Sequence, residues 1–233
     1  MTSQPEQPLF EISADVLLRA YACGIFPMAE NASDPNLYWI DPDYRGALPL
    51  DAIRLPRRLA RTIRQGRFDV RIDTDFDATI EGCAAPRPGR QSTWINGRIR
   101  ELYGELFSSG HCHTVEVYHA GEMVGGLYGV ALKGAFFGES MFSTERDASK
   151  IALIYLCARL IHGGFYLLDT QFITDHLASF GAEEIPRSEF HTRLNYALSI
   201  QADFNALPRS APPEEIVAIV RDNCRAQRVE DDE

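Results

Sequence analysis

An acid and an amide two residues apart close an apolar run: Leu167, Leu168, Asp169, Thr170, Gln171. Successive side chains of a strand face opposite sides of a sheet, so Asp169 and Gln171 share one face. Such a pair is either a solvated strand end or the polar heart of a site. As a site it could take a proton from an attacking group and orient the attacker. A second acid, Glu139, interrupts the apolar strand segment AFFGESMF over 135–142. Acids are rarely buried without a partner or a task.

These residues need a frame. Alternating and apolar runs predict strands over 114–118, 123–132, 135–142 and 165–171, with turns at Ala120-Gly121 and Lys133-Gly134. A helix over 148–162, ending at Gly163-Gly164, joins the strand of Glu139 to the strand of Asp169. Earlier in the chain, Ser13 is a natural N-cap for a short helix that ends at Gly24. GIFPM reads as an extended turn, and YWIDPDYRG reads as an irregular wall, because each proline forces its predecessor out of helix. Apolar residues at helical spacing from Ile95 to Phe107 are mostly core, with Trp94 and Tyr103 as the two aromatics that could instead face a ligand. Gly125, Gly126 and Gly129 weaken a strand and mark a bulge or a close approach. A last strand near Ile185 and a helix over 189–198 close the domain.

Charge is unevenly placed. Net charge is −10, which argues against a chain coated for nucleic acid, yet RLPRRLARTIRQGR over 54–67 holds six arginines and no acid. Pro56 opens a helix there, with Arg57, Arg61 and Arg64 away from Leu59 and Ile63. The helix is either a solvated amphipathic face or a phosphate-facing one. Five scattered cysteines without a CxxC spacing read as reduced thiols. In His111-Cys112-His113 the cysteine would face away from the two histidines, so no metal site is expected. No basic or apolar leader opens the chain, and the most apolar helix is too short to span a bilayer and carries Arg159, so no membrane association is expected.

Antiparallel strands followed by helix, strand, helix and strand give the layout of an acetyltransferase-like (GNAT) α/β domain. Its sheet is mixed and largely antiparallel, flanked by helices. The expected division is a small N-terminal lobe over 1–50, whose first eleven residues form a disordered lead-in, the transferase domain over 51–206, and a loose acidic tail over 207–233. Domains of this type hold the pyrophosphate of an acyl-coenzyme A on a glycine-rich turn at a helix N-terminus. The turn here, STERDASK, has no glycine and two acids, so coenzyme A is not the expected carrier.

The segments AYACGIFPM (20–28), YWIDPDYRG (38–46), TWIN (93–96), VGGLYGV (124–130), FFGESMFS (136–143), DTQ (169–171) and DHLASFGA (175–182) run in order along the chain. On them the sequence resembles the leucyl/phenylalanyl-tRNA–protein transferases. The resemblance implies an aminoacyltransferase of the cytoplasm that moves Leu or Phe, and also Met, from aminoacyl-tRNA to the N-terminal Arg or Lys of proteins. The product is an N-degron read by the degradation machinery. It also implies no cofactor and no metal, and a monomer is expected. Carried over by position, Asp169 and Gln171 assist the attacking α-amine and Glu139 holds the aminoacyl group. Tyr21, Trp94 and Tyr103 surround the tRNA's 3′-terminal adenosine, with Met28 where relatives carry tryptophan. Leu127, Phe136, Met141, Leu156 and Leu168 form the pocket for the transferred side chain.

Asp169 could accept the amine's proton directly or through Gln171. It could instead stay ionised and orient a cationic acceptor, leaving the proton to the tRNA's own hydroxyl. The arginines of 57–64 would hold acceptor-stem phosphates. Two other readings of the same residues are a coenzyme-A-dependent N-acetyltransferase and a non-catalytic adaptor for basic N-termini.

Overall fold

The structure, a computed structural model, describes residues 12–87 and 91–230, with side chains of the last helix described through residue 223. The expected disordered lead-in over 1–11 lies outside the described residues. In chain order the elements are α1 (Ala14–Ala22), β1 (Phe26–Met28), β2 (Tyr38–Ile40), β3 (Tyr44–Ala47), α2 (Arg57–Arg64), β4 (Asp69–Ile72), α3 (Phe76–Ala84) and α4 (Gly97–Ser108). There follow β5 (Cys112–His119), β6 (Glu122–Leu132), β7 (Ala135–Ser143), α5 (Ala148–His162), β8 (Leu167–Gln171), α6 (Asp175–Ala178), β9 (Glu183–Pro186), α7 (Arg187–Ser199) and α8 (Pro213–Glu230).

Seven strands form one sheet in the order β4-β5-β6-β7-β8-β3-β9, and β1 pairs with β2 in a separate ribbon. All ladders of the large sheet are antiparallel except β7–β8, the pair joined through α5. The fold is therefore a mixed, largely antiparallel sheet with helices on both faces. One core lies between the sheet and α2, α5 and α8; the other lies between the sheet and α1, α3, α4 and α7. Helix α5 is buried from Ile151 to Leu160 because sheet and α8 enclose it, which explains its unbroken apolar run.

Local chemistry sets the element starts. The Ser13 hydroxyl accepts from the Val16 N–H, the Asp75 carboxylate from Ala78, and the Asn96 amide oxygen from Ile99, each closing an orphan donor of a first turn. Asn96 also donates to the Asp34 carbonyl, tying the loop before β2 to the start of α4.

Three expectations fail. GIFPM and YWIDPDYRG are not irregular: they form β1, β2 and β3, since the extended backbone that proline imposes is strand backbone. Pro27 lacks only a donor that a two-stranded ribbon can spare. The lobe residues also supply β3 to the interior of the large sheet, between β8 and β9. The tail after 207 is not loose. Pro213 opens α8, whose Ile216, Val217 and Val220 are buried in the core with α2 and α5. Arg159, itself buried, donates to the carbonyls of Phe204, Leu207 and Pro208 and so fastens the connection into α8. Flanking prolines and surface acids hide this apolar stripe in the sequence.

Ile216→Ala should lower the unfolding free energy in urea by about 2–5 kcal/mol, the range for a buried Ile truncation. A loose tail would give no change.

Candidate active site

β7 and β8 run parallel only from Ala135↔Leu167 to Phe137↔Asp169. Past that point the strands part, and a cavity of about 290 Å³ opens in the split, lined by Gly138, Glu139, Ser140 and Met141 of β7 and by Leu168, Thr170 and Gln171 of β8. This is near the lower end of the ~300–1,000 Å³ typical of small-molecule pockets, fit for a single side chain. Leu127, Leu153, Leu156 and Leu177 complete an apolar floor, and Phe26, Met28, Trp94 and Phe172 also line it.

Two β-bulges aim residues at the split. Tyr128 pairs with Ser140 and Gly129 with Gly138, so Glu139 is the extra residue of β7. Gly46 pairs with Gln171 and Ala47 with Asp169, so Thr170 is the extra residue of β8. A bulge frees its residue from the ladder and re-aims it. Gln171 then adopts a left-handed φ of 55°, and the Phe172 N–H donates to the Thr170 carbonyl at 2.6 Å across it. For a non-glycine residue this conformation is strained, and such strain concentrates at functional sites.

Asp169 is fully buried. Arg45 of β3 grips it with both arms, Nε to Oδ1 at 2.9 Å and a terminal nitrogen to Oδ2 at 2.6 Å. The Gln171 N–H also donates to Oδ1, at 2.8 Å, which pins the strained turn. Asp169 does not line the cavity. Its oxygens bond Arg45 and the Gln171 N–H, so the structure keeps this carboxylate off the cavity lining while holding the Gln171 backbone.

Glu139 is the carboxylate that faces the cavity. The Tyr21 hydroxyl donates to Oε1 at 2.6 Å, the Tyr103 hydroxyl to Oε2 at 2.9 Å, and Gln171 Nε2 to Oε1 at 3.2 Å. Burial pushes Glu139 up to about 7; the two tyrosine hydrogen bonds and Arg45 oppose this, and the Asp169 charge adds to it. The two tyrosine hydroxyls also touch each other. Burial thus works toward the neutral acid and the two tyrosine hydroxyls toward the charged one.

Residues 47–195 match the family described as leucyl/phenylalanyl-tRNA protein transferase, and residues 10–43 match that family's N-terminal domain. The leucyl/phenylalanyl-tRNA–protein transferase of Nitrobacter winogradskyi is 62% identical over 202 residues, covering 87% of this chain and 90% of the relative. That of Afipia carboxidovorans is 57% identical over 213 residues, 91% and 94% of the two chains. That of Caulobacter vibrioides is 56% identical over 199 residues, 85% and 92%. The chain belongs to the leucyl/phenylalanyl-tRNA–protein transferase family.

Against this family pattern, the structure brings Glu139, Gln171, Met28, Trp94, Leu127, Met141, Leu156 and Leu168 to one cavity. It does not bring Asp169, Tyr21, Tyr103 or Phe136 to the lining. Tyr21 and Tyr103 are fully buried, and their hydroxyls hold Glu139, so neither ring is free to stack on an adenosine. Phe136 is fully buried in the α5-side core, stacked on Phe204 and edge-on to Phe165, outside the cavity. Leu153 was missed although it lies one turn before Leu156 on the same face of α5, a spacing that could have found it. Arg45 and Phe172 carried no local signal.

The arginines stand apart from the cavity floor. Leu59, Ala60 and Ile63 bury one side of α2, and Arg57, Arg61 and Arg64 are exposed on the other. Arg58 pairs with Asp147 at the start of α5, the helix whose Leu153 and Leu156 line the cavity. Among the described residues no three metal-ligand side chains converge; His113 instead stacks on Phe204 and bonds Asp73. No described helix is long and apolar enough to cross a membrane.

Glu139 titrates higher when folded than its ordinary 4.5, so the stability of its neutral form is complete below about 4.5 and lost as pH rises through about 7. Denaturation from pH 4.5 to 8.5 should therefore show the wild type losing stability relative to Glu139→Gln across that window. Tyr103→Phe should move the midpoint further up, since its hydrogen bond favours the charged form. Arg45→Met should cost about 3–5 kcal/mol by stranding Asp169, and adding Asp169→Leu should recover most of it.

Proposed function

We propose that this chain joins Leu, Phe or Met from its charged tRNA to the N-terminal Arg or Lys of acceptor proteins, with Glu139 as the group that receives the donor's α-ammonium. One observation carries the assignment of Glu139: among the described residues, a cavity floored by Leu127, Met141, Leu153, Leu156, Leu168 and Leu177 holds one carboxylate. An apolar side chain beside an ammonium is the shape of an aminoacyl group. Such a floor discriminates weakly among Leu, Met and Phe, as a methylene is worth about 1–3 kcal/mol.

The reaction needs little chemical assistance, because the ester is already activated. The acceptor's amine nitrogen attacks the ester carbonyl carbon, a C–N bond forms, and the C–O bond to the terminal ribose breaks. The nitrogen's proton goes to the departing ribose oxygen, which leaves as a hydroxyl. With an ordinary α-amino pKa of about 7.7–8.0, roughly a tenth or more of the amine is already neutral near pH 7. Positioning can then supply up to about 7–11 kcal/mol of the barrier. Gln171 donates its Nε2 proton to Glu139, which turns its amide oxygen to accept an N–H of the attacking amine.

Trp94, partly buried at the cavity, is the ring for the terminal base, and Met28 offers a softer contact beside it. The exposed face of Arg57, Arg61 and Arg64, docked at the α5 start by the Arg58–Asp147 pair, would hold acceptor-stem phosphates. We read the fold as acetyltransferase-like, on the strength of one parallel pair splitting around a site in an otherwise antiparallel sheet. The N-terminus of α5 carries Glu145 and Asp147, which disfavours a coenzyme A pyrophosphate there. Charged tRNA as donor and a nascent N-degron as product fit a cytoplasmic enzyme.

The protein, freshly charged Leu-tRNA and a peptide beginning with Arg should yield the Leu-Arg peptide by mass spectrometry. No product at low salt overturns the reading. Glu139→Gln should reduce transfer at subsaturating donor by about 100-fold or more, as expected for a lost charge-assisted contact. Its pH profile should keep only the rise that deprotonation of the acceptor amine gives and lose the added Glu139 step near 7.

A further inference from the structure

The reaction brings two cations to one cavity, the donor's α-ammonium and the side chain of an acceptor Arg or Lys. Only Glu139 is charged among the described residues that line it. With Glu139 used by the donor, the acceptor's cationic side chain needs another partner within reach of Gln171. Phe172, the next residue, lines the cavity and is 50% exposed, so part of its ring remains accessible there.

Its placement is built. The left-handed Gln171 and the hydrogen bond from the Phe172 N–H to Thr170 swing the ring to the mouth. There it stands nearly perpendicular to Phe26, ring centroids 6.0 Å apart and planes at 78°. Phe26 in turn carries the Arg45 guanidinium 4.5 Å from its ring centre. An aromatic ring binds a guanidinium or ammonium through its quadrupole without contributing a second charge. A second carboxylate in the same cavity would instead raise both and weaken the donor's anchor.

We infer that the exposed ring of Phe172 receives the guanidinium or ammonium side chain of the acceptor's first residue, and so sets the preference for basic N-termini. The inference rests on the aminoacyl-transfer reading. A cation–π contact at a partly exposed site corresponds to about 2- to 30-fold in relative rate.

The experiment compares transfer of Leu to peptides beginning with arginine, lysine or citrulline, the neutral isostere of arginine. In Phe172→Leu, the ratio of kcat/KM for the Arg and Lys peptides to that for the citrulline peptide should fall by about 2- to 30-fold, whatever the change common to all three; Phe172→Trp should keep or raise the preference. Equal losses for arginine and citrulline would mean apolar packing alone, and an unchanged arginine-to-citrulline ratio would mean no contact; either overturns the inference. A wild type that transfers to no peptide overturns the aminoacyl-transfer reading, and this inference with it.

Discussion

The ion pair between Arg45 and Asp169 sits where several elements around the cavity meet. Both side chains are essentially inaccessible, and the guanidinium lies between the rings of Phe26 and Phe190, 4.5 and 4.4 Å from their centres. Its third nitrogen donates to the Gly24 carbonyl just after α1. One side chain therefore ties α1, β1, β8 and α7 to β3. Burying two charges costs several kcal/mol per ion before any attraction is counted. The cost is offset because the geometry is bidentate, a third donor is satisfied and two rings cover the cation. Such a pair adds less to stability than to uniqueness: Asp169 has one place to sit, and through its bond to the Gln171 N–H so does the turn at the cavity.

Two carboxylates near one another thus receive opposite surroundings. Asp169 has a guanidinium in contact and no access to solvent. Glu139 has two hydroxyls and an amide, none of them charged, and faces a cavity. Environment, not residue type, divides the work between fixing a frame and meeting a substrate.

What the sequence made legible was alternation and spacing. Glu139 and the Asp169–Gln171 pair stood out because polar residues broke apolar strands, and Leu127, Met141, Leu156 and Leu168 followed from family position. Period-2 alternation tells which face a residue takes and nothing about who stands across from it. Arg45 lies 124 positions from Asp169 and reaches it only because β3 inserts between β8 and β9, out of chain order. Tyr21 and Tyr103 misled for a related reason. A tyrosine offers a ring and a hydroxyl, and sequence does not say which end is put to use. Here both rings are core and both hydroxyls are site. Phe136 shares the face of Leu127 and Leu168 but turns to Phe165 and Phe204 instead of the cavity, and α8 was hidden because three apolar positions in an acidic, proline-flanked stretch look weak until α2 and α5 are there to receive them.

The devices around the cavity share a character that follows from the reaction. A parallel pair splits after three paired positions, two bulges turn Glu139 and Thr170 out of their ladders, and a strained Gln171 aims its own amide and the ring after it. Each is a way of placing a group, and none is a way of making a stronger nucleophile or a better leaving group. An aminoacyl ester is activated before it arrives, and an amine is nucleophilic without help once it loses a proton near neutrality. For such a reaction the barrier is largely one of bringing two amino acids together in register, so a fold that spends its strain on placement is matched to it. A site built instead around an exposed, strongly basic carboxylate would gain little in chemistry and would hold the acceptor's cation as readily as the donor's, confusing the two amines it must tell apart.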